Sequence, residues 1–121
     1  MNPKELKVGD TVWVMEIIFS SCSARCSRNL KPTEGIVTKV ESNKWNTGSY
    51  EVDIAYKTDV VSGKENPRLL YRTGYWEWNN ENSSSLYKTR EEAVVEYNRK
   101  VNNKIDKLQS DIDSVKKKFI K

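Results

Sequence analysis

The C-terminal third of the chain carries an apolar stripe at helical spacing, and this stripe limits the possible folds more than any other feature. Successive members are 3, 4, 4, 3, 4, 3 and 4 residues apart: Val94, Tyr97, Val101, Ile105, Leu108, Ile112, Val115 and Phe119. This spacing is close to that of a coiled-coil seam. A helix from about Arg90 to Ile120 would be roughly 45 Å long, so its stripe needs either the rest of the chain or a second chain to cover it.

We therefore predict that the later part of the stripe holds two copies of the chain together as a homodimer. The residues assigned to this contact are Val101, Ile105, Leu108, Ile112, Val115 and Phe119. The alternative is that the helix folds back on its own domain, since an exposed seam of this size is unusual in a monomer.

The start of the helix is marked by a capping box. Thr89 and Glu92 have the required spacing, and Leu86 or Tyr87 precedes the cap as a hydrophobic staple. Three asparagines lower the helix propensity near the middle: Asn98, Asn102 and Asn103. A bend, or a helical hairpin that turns at 102–104, is therefore an alternative to one continuous helix.

Residues 1–85 are predicted to form a small antiparallel SH3-like β-barrel, followed by the helical segment 86–121, so the fold class is α+β. Short β-branched and aromatic runs separated by turn residues predict five strands, over 11–19, 34–41, 50–57, 68–72 and 75–78. The first strand is apolar on both faces, which predicts that one face lies on the barrel core and the other under the helix. In the third strand, large apolar residues alternate strictly with other residues. This pattern predicts a solvent-exposed face made of Glu51, Asp53, Ala55 and Lys57.

Residues 20–33 are predicted to be a long loop, because they are rich in serine and contain no acidic residue. Arg25, Arg28 and Lys31 make this loop a candidate contact surface, and the alternative is a plain flexible insertion. The loop also holds Cys22 and Cys26. With no histidine in the chain we expect two free thiols and no metal site, although two chains could pool four thiolates and a disulfide could form in an oxidising compartment.

A group of aromatic residues forms the second candidate surface. Trp45, Tyr71, Tyr75, Trp76 and Trp78 could bind a protein or stack on nucleic-acid bases, and the alternative is that they fill the barrel. Trp76 and Trp78 share one strand face while Tyr75 takes the other, so one set should be more exposed than the other.

The net charge of +4 lies entirely in the C-terminal segment. Residues 1–87 hold 11 basic and 11 acidic residues, whereas residues 88–121 hold 10 basic and 6 acidic residues. Lysines at the end of the helix could contact phosphate, or they could simply complement the helix dipole. A neutral barrel argues against a dedicated duplex-binding protein.

No residue set indicates catalysis. The chain has no histidine, no phosphate-binding glycine loop, no nucleophile elbow and no metal-ligand spacing. We therefore expect a non-enzymatic protein with no catalytic residues, no cofactor and no metal. There is also no apolar run long enough for a membrane span and no signal-peptide pattern at the N-terminus, so we expect a cytoplasmic protein.

Three segments carry a resemblance to a known family: residues 6–14, residues 34–40, and the helix entry Leu86-Tyr87-Lys88-Thr89-Arg90-Glu91-Glu92. The first two resemble the opening of SH3-like small barrels of the KOW and Tudor type. Together with the third, they are similar to uncharacterised bacteriophage proteins that place such a barrel before a C-terminal helix. The resemblance implies phage origin, a bacterial host cell and binding without catalysis, and it brings no functional residues with it.

Two functions follow as expectations. The first is an interaction protein that binds and blocks or redirects a host protein, such as a defence nuclease of the CRISPR type. Its contact residues would be Arg25, Arg28, Lys31, Trp45, Tyr75, Trp76 and Trp78. The alternative is a nucleic-acid-associated barrel of the KOW kind that contacts phosphate through Arg25, Arg28, Arg68, Arg72, Lys116, Lys117 and Lys118.

Overall fold

The chain folds into an open, five-stranded antiparallel sheet followed by one long helix, so the predicted α+β class is confirmed. The computed structural model describes residues 1–21, 23–45 and 47–119. Its elements are β1 Thr11–Phe19, β2 Cys26–Ser42, β3 Ser49–Tyr56, α1 Lys57–Val61, β4 Leu69–Trp76, β5 Leu86–Tyr87 and α2 Arg90–Lys116, after a 3-10 turn over Pro3–Glu5. The strand order across the sheet is β4-β3-β2-β1-β5. Our expectations for Cys22 and Ile120 lie outside the described residues.

Strand β1 is covered on both faces, as predicted. Val12 and Val14 are fully buried in the main core, where they pack with the apolar side chains of β2, β3, β4 and β5. Met15 and Ile17 belong to a second apolar cluster, which includes Ala93 of helix α2. The strand therefore joins the sheet core to the helix.

The prediction of a loop over 20–33 is wrong for residues 26–33. Strand β2 begins at Cys26 and pairs with β1 from there, with Phe19 opposite Cys26 and Ile17 opposite Asn29. Only residues 20–25 connect the two strands. Arg28 and Lys31 consequently lie on a strand and not on a mobile loop.

Strand β2 is strongly bent because it pairs with two different strands in succession. Residues 26–36 pair with β1 and residues 35–42 pair with β3. Each of its three register shifts places the additional residue on β2, and extra residues on one strand bend it. Gly35 lies where the partners change: a Cβ there would lie 2.5 Å from Ile54 Cγ2.

The prediction that residues 68–72 and 75–78 form two separate strands is wrong. Residues 69–76 form one strand, β4, in which Gly74 lies opposite Glu51 of β3. The actual β5 is formed by Leu86 and Tyr87, which pair with β1. Glycine is needed at position 74 because a Cβ would lie only 2.9 Å from the Tyr50 carbonyl oxygen.

The face of β3 that was predicted to be solvent-exposed is only partly exposed. Ala55 is buried, and Asp53 is also buried, with its carboxylate held by Arg72. Helix α1 was not predicted. It starts immediately after β3 and contains the buried Asp59.

Helix α2 is continuous from Arg90 to Lys116, so the hairpin alternative at 102–104 is wrong, and the helix ends four residues before the predicted Ile120. The predicted cap is confirmed, since the Thr89 side chain accepts a hydrogen bond from the Glu92 backbone N–H at 3.2 Å. No helix in the described part of the chain combines the length and the apolar character needed to cross a membrane.

Candidate functional site

The first half of helix α2 packs on the sheet through one face. Ala93 is fully buried against Met15 and Ile17, and Tyr97 and Val101 border the same cluster. The Tyr97 hydroxyl also donates a hydrogen bond to the Asn29 side-chain oxygen at 3.0 Å. This part of the predicted apolar stripe is therefore covered by the protein's own sheet.

The coverage ends at Lys104, which fastens the helix to the β1–β2 connection. Lys104 is only 9 % exposed. Its Nζ donates to the Ser20 carbonyl oxygen at 2.8 Å and lies 5.7 Å from the centre of the Phe19 ring. One turn further on, the exposed Lys107 donates to the Ser21 carbonyl oxygen at 3.3 Å. Sequence reasoning missed Lys104 because only apolar residues were counted as members of the helix stripe. Its spacing could have revealed its burial, because Lys104 lies three residues after Val101 and four before Leu108, on the same helix face.

Beyond Lys104 the apolar stripe continues without a cover from the described residues. We call Ile105, Leu108, Ile112, Val115 and Phe119 the distal stripe. Val115 is 63 % exposed and Phe119 is 79 % exposed. Ile105 and Ile112 are also exposed, and Leu108 is half-buried. An apolar row of this kind, bordered by charged residues, is typical of a protein-interaction surface.

A second exposed apolar group lies at the opposite end of β2. Trp45 is in the β2–β3 turn. Trp76 is the last residue of β4, where it lies opposite Ser49, and Trp78 follows two residues later. The rings of Trp76 and Trp78 stack with centroids 6.2 Å apart, and Trp78 is 75 % exposed. We call this group of three tryptophans the aromatic end.

The two aromatic sets of residues 75–78 differ in exposure, as predicted. Tyr75 stacks on Tyr50 with ring centroids 5.1 Å apart and, like Tyr71, packs against the main core. Burial raises the pKa of the Tyr75 hydroxyl. Tyr75 is therefore mainly a packing residue, while the tryptophans face outwards.

Three of the arginines predicted for phosphate contact are held by carboxylates of the protein itself. Arg28 pairs with Glu16 at 2.7 Å, Arg68 pairs with Asp59 at 2.9 Å, and Arg72 pairs with both Asp53 and Glu51 at 2.7 Å. The Arg68 hydrogen bonds lower the pKa of the Asp59 carboxyl to about 2, and those of Arg72 lower the pKa of Asp53. These arginines would have to leave their partners in order to bind phosphate.

The other basic candidates are exposed, and within the described residues none of them forms an ion pair. They are Arg25 in the β1–β2 connection, Lys31 on β2, and Lys116, Lys117 and Lys118 at the end of α2. The structure thus separates the residues predicted for protein binding into two groups. Arg25, Arg28 and Lys31 lie on the N-terminal half of β2 or just before it, while the aromatic end lies beyond its C-terminal end.

Cys26 is a half-buried free thiol that borders the cluster under the helix. In the described part of the chain, no three side chains of the metal-binding types come together.

The comparisons with known proteins do not add a relative. A scan against protein-family models, a search of curated proteins and a search of solved structures each gave no significant match.

Proposed function

We propose that this protein is a non-enzymatic protein-binding module that forms a homodimer through the distal stripe and presents its aromatic end to a target protein. One observation carries the proposal: the apolar stripe of α2 is covered by the sheet only as far as Lys104 and stays exposed beyond it. Burying such a row against another chain removes apolar surface from water, which favours association.

The dimer is tested by sedimentation equilibrium of the wild-type chain and of Ile112→Asp. A charge in the middle of the stripe should shift the protein to the monomer mass, because the carboxylate cannot be buried without a partner. Val95→Asp is the matched control, since Val95 is an exposed residue of the same helix outside the stripe. A wild-type protein that sediments as a monomer at every concentration would contradict the proposal.

Target binding is assigned to the aromatic end because exposed tryptophans are enriched among the residues that dominate protein interfaces. The test is capture of proteins from a bacterial lysate by wild-type protein, by Trp78→Ala and by Leu69→Ala. Leu69 is an exposed residue at the other end of β4 and serves as the control. We expect a captured protein to be lost with Trp78→Ala and retained with Leu69→Ala; equal capture by all three would argue against this surface.

The proposal extends to the type of sheet, the type of helix contact and the kind of target. The strong bend of β2 and the position of β5 beside β1 support an SH3-like barrel type of sheet, and the spacing of the distal stripe supports a coiled-coil contact. The resemblance of the opening strands and of the helix entry to phage proteins extends the proposal to an inhibitor of a host protein, including a defence nuclease, in the bacterial cytoplasm.

Nucleic-acid binding is the second candidate function, and the exposed lysines at 116–118 favour it. It is the weaker candidate because Arg28, Arg68 and Arg72 are held by carboxylates. A titration of binding to random DNA and RNA against salt separates the two functions, since phosphate contacts lose affinity steeply as salt rises. Absence of retained nucleic acid at low salt would remove this candidate.

A further inference from the structure

We propose that the two copies pair antiparallel along α2, with the two-fold axis on the distal-stripe side of the helix, level with residue 110, and a sheet at each end of the dimer. This inference rests on the self-association proposed above and adds its orientation and register. It is carried by three features of α2: the symmetry of the distal stripe, the point at which the sheet stops covering the helix, and the point at which the helix ends.

The distal stripe is complementary to itself when one copy is reversed. Centred on residue 110, Ile105 of one chain lies level with the partner's Val115, and Leu108 lies level with the partner's Ile112. Two-fold symmetry makes each of these contacts occur twice, which gives four apolar layers in the helical part. All four residues belong to the stripe, so no charged side chain falls into a layer.

The length of the uncovered segment matches this register. Lys104 is the last helical residue that is buried against its own sheet domain, and Lys116 is the last residue of the helix. In the antiparallel register these two positions lie level with each other across the interface. The free half of each helix is therefore covered along its whole length, and each sheet lies just past the end of the other helix.

A parallel pair does not fit because of where the sheet is attached. Val101, Leu108 and Val115 are seven residues apart and form one row along the helix, and at Val101 this row is occupied by the protein's own sheet. In a parallel pair each residue faces its own copy, so both sheets would have to occupy the space between the two helices.

The interface is small, which predicts reversible association. The side chains of the distal stripe on two chains present on the order of 1,000 Å² of surface, at the lower limit for a specific interface. We therefore expect monomer and dimer to exchange on dilution.

The charge beside the stripe distinguishes the two orientations. Asp111 is exposed and flanks the stripe next to the proposed two-fold axis, so in an antiparallel pair it approaches the partner's Asp111. In a parallel pair it would instead approach the partner's Lys116, as flanking positions of parallel coiled coils do. Asp111→Asn should therefore lower the dissociation constant about twofold at low salt if the pair is antiparallel, and raise it about twofold if the pair is parallel.

The orientation is measured by pulsed dipolar electron spin resonance on single-cysteine chains in which Cys22 and Cys26 are replaced by serine. A spin label at Ser110→Cys is level with the two-fold axis, on the helix face turned away from the stripe, and reports association in either orientation. A label at Glu91→Cys is 19 residues from that axis, so antiparallel labels are separated by about 57 Å along the helix direction. Sedimentation of the unlabelled cysteine-free chain shows whether the background still associates as the wild type does.

We expect a short distance, within about 30 Å, for the label at 110 and a long distance, at least about 55 Å, for the label at 91. Short distances at both sites, together with a weaker dimer for Asp111→Asn, would overturn the antiparallel arrangement while leaving the dimer intact. No dipolar coupling at residue 110, in a background that sediments as the same dimer as the wild type, would overturn association through the distal stripe.

Discussion

Asp59 illustrates how single carboxylates stabilise this fold. Its side chain accepts three hydrogen bonds from Arg68: from the backbone N–H at 3.0 Å, from Nε at 2.9 Å and from Nη2 at 3.2 Å. Together they tie helix α1 to the start of β4. These bonds favour the charged carboxylate, so its pKa falls to about 2.

The lowered pKa of Asp59 predicts a specific dependence of stability on pH. An unfolded aspartate has a pKa of about 3.9. The contribution of Asp59 is therefore fully present above that value and is lost as the pH falls through about 2. We expect Asp59→Asn to lower the melting temperature at pH 7 and to flatten its decline between pH 5 and pH 2, whereas Asp106→Asn at an exposed helix position should follow the wild type. If the melting temperature of Asp59→Asn fell between pH 5 and pH 2 as steeply as that of the wild type, this role would be contradicted.

Gly35 is the residue at which β2 changes partner, and its lack of a side chain is a packing requirement. An added Cβ would lie 2.5 Å from Ile54 Cγ2 and 3.0 Å from Leu70 Cδ2, inside the main core. We expect Gly35→Ala to lower the free energy of unfolding by about 1–3 kcal/mol through overpacking. Urea denaturation measures this, with Ser42→Ala at an exposed position of the same strand as control. Equal stability of Gly35→Ala and wild type would show that the core can relax around a methyl group.

The β1–β2 hairpin connects the sheet to helix α2, and Lys104 of the helix binds to the tip of this hairpin. Loss of its hydrogen bond to the Ser20 carbonyl and of its contact with Phe19 should free the hairpin tip. We expect Lys104→Ala to speed hydrogen exchange of the backbone amides over 19–26 and to cost about 1–3 kcal/mol of stability. Lys107→Ala, whose bond is longer and exposed, should have a smaller effect. Equal effects of the two changes would mean that burial of Lys104 is unimportant.

At this scale the sequence predicts elements well where one pattern dominates. The β-branched and aromatic run of β1, the alternating residues of β3 and the cap at Thr89 correctly located these strands and the start of α2. Strand β2 was shortened to 34–41 because its first residues are polar and include Pro32, which lies at a register shift and not in regular pairing. Strand β5 was missed because two residues carry no periodicity, and Asp53 was misplaced because the alternation could not show that Arg72 satisfies a buried carboxylate.

At the scale of the whole molecule, the distal stripe and the aromatic end are exposed apolar surfaces that lie towards opposite ends of the long strand β2. The distal stripe begins beyond the point where Lys104 contacts the β1–β2 connection, before the start of β2. The aromatic end lies at the turn that follows β2. The sequence identified the side chains of both surfaces as candidate contact residues. It could not show that the two surfaces lie far apart, because their separation depends on how β2 pairs with its neighbours. A dimer formed through the distal stripe leaves the aromatic end of each copy free for a target.

The most direct test of the central claim is the effect of dilution on the ¹H–¹⁵N correlation spectrum of the protein, followed residue by residue. If two copies associate through the distal stripe, the amide signals that change with concentration will lie over residues 105–119, and those of the sheet strands will stay fixed. Spectra that do not change with concentration, or changes confined to the sheet, would contradict the claim that the distal half of α2 is a contact surface for a second copy.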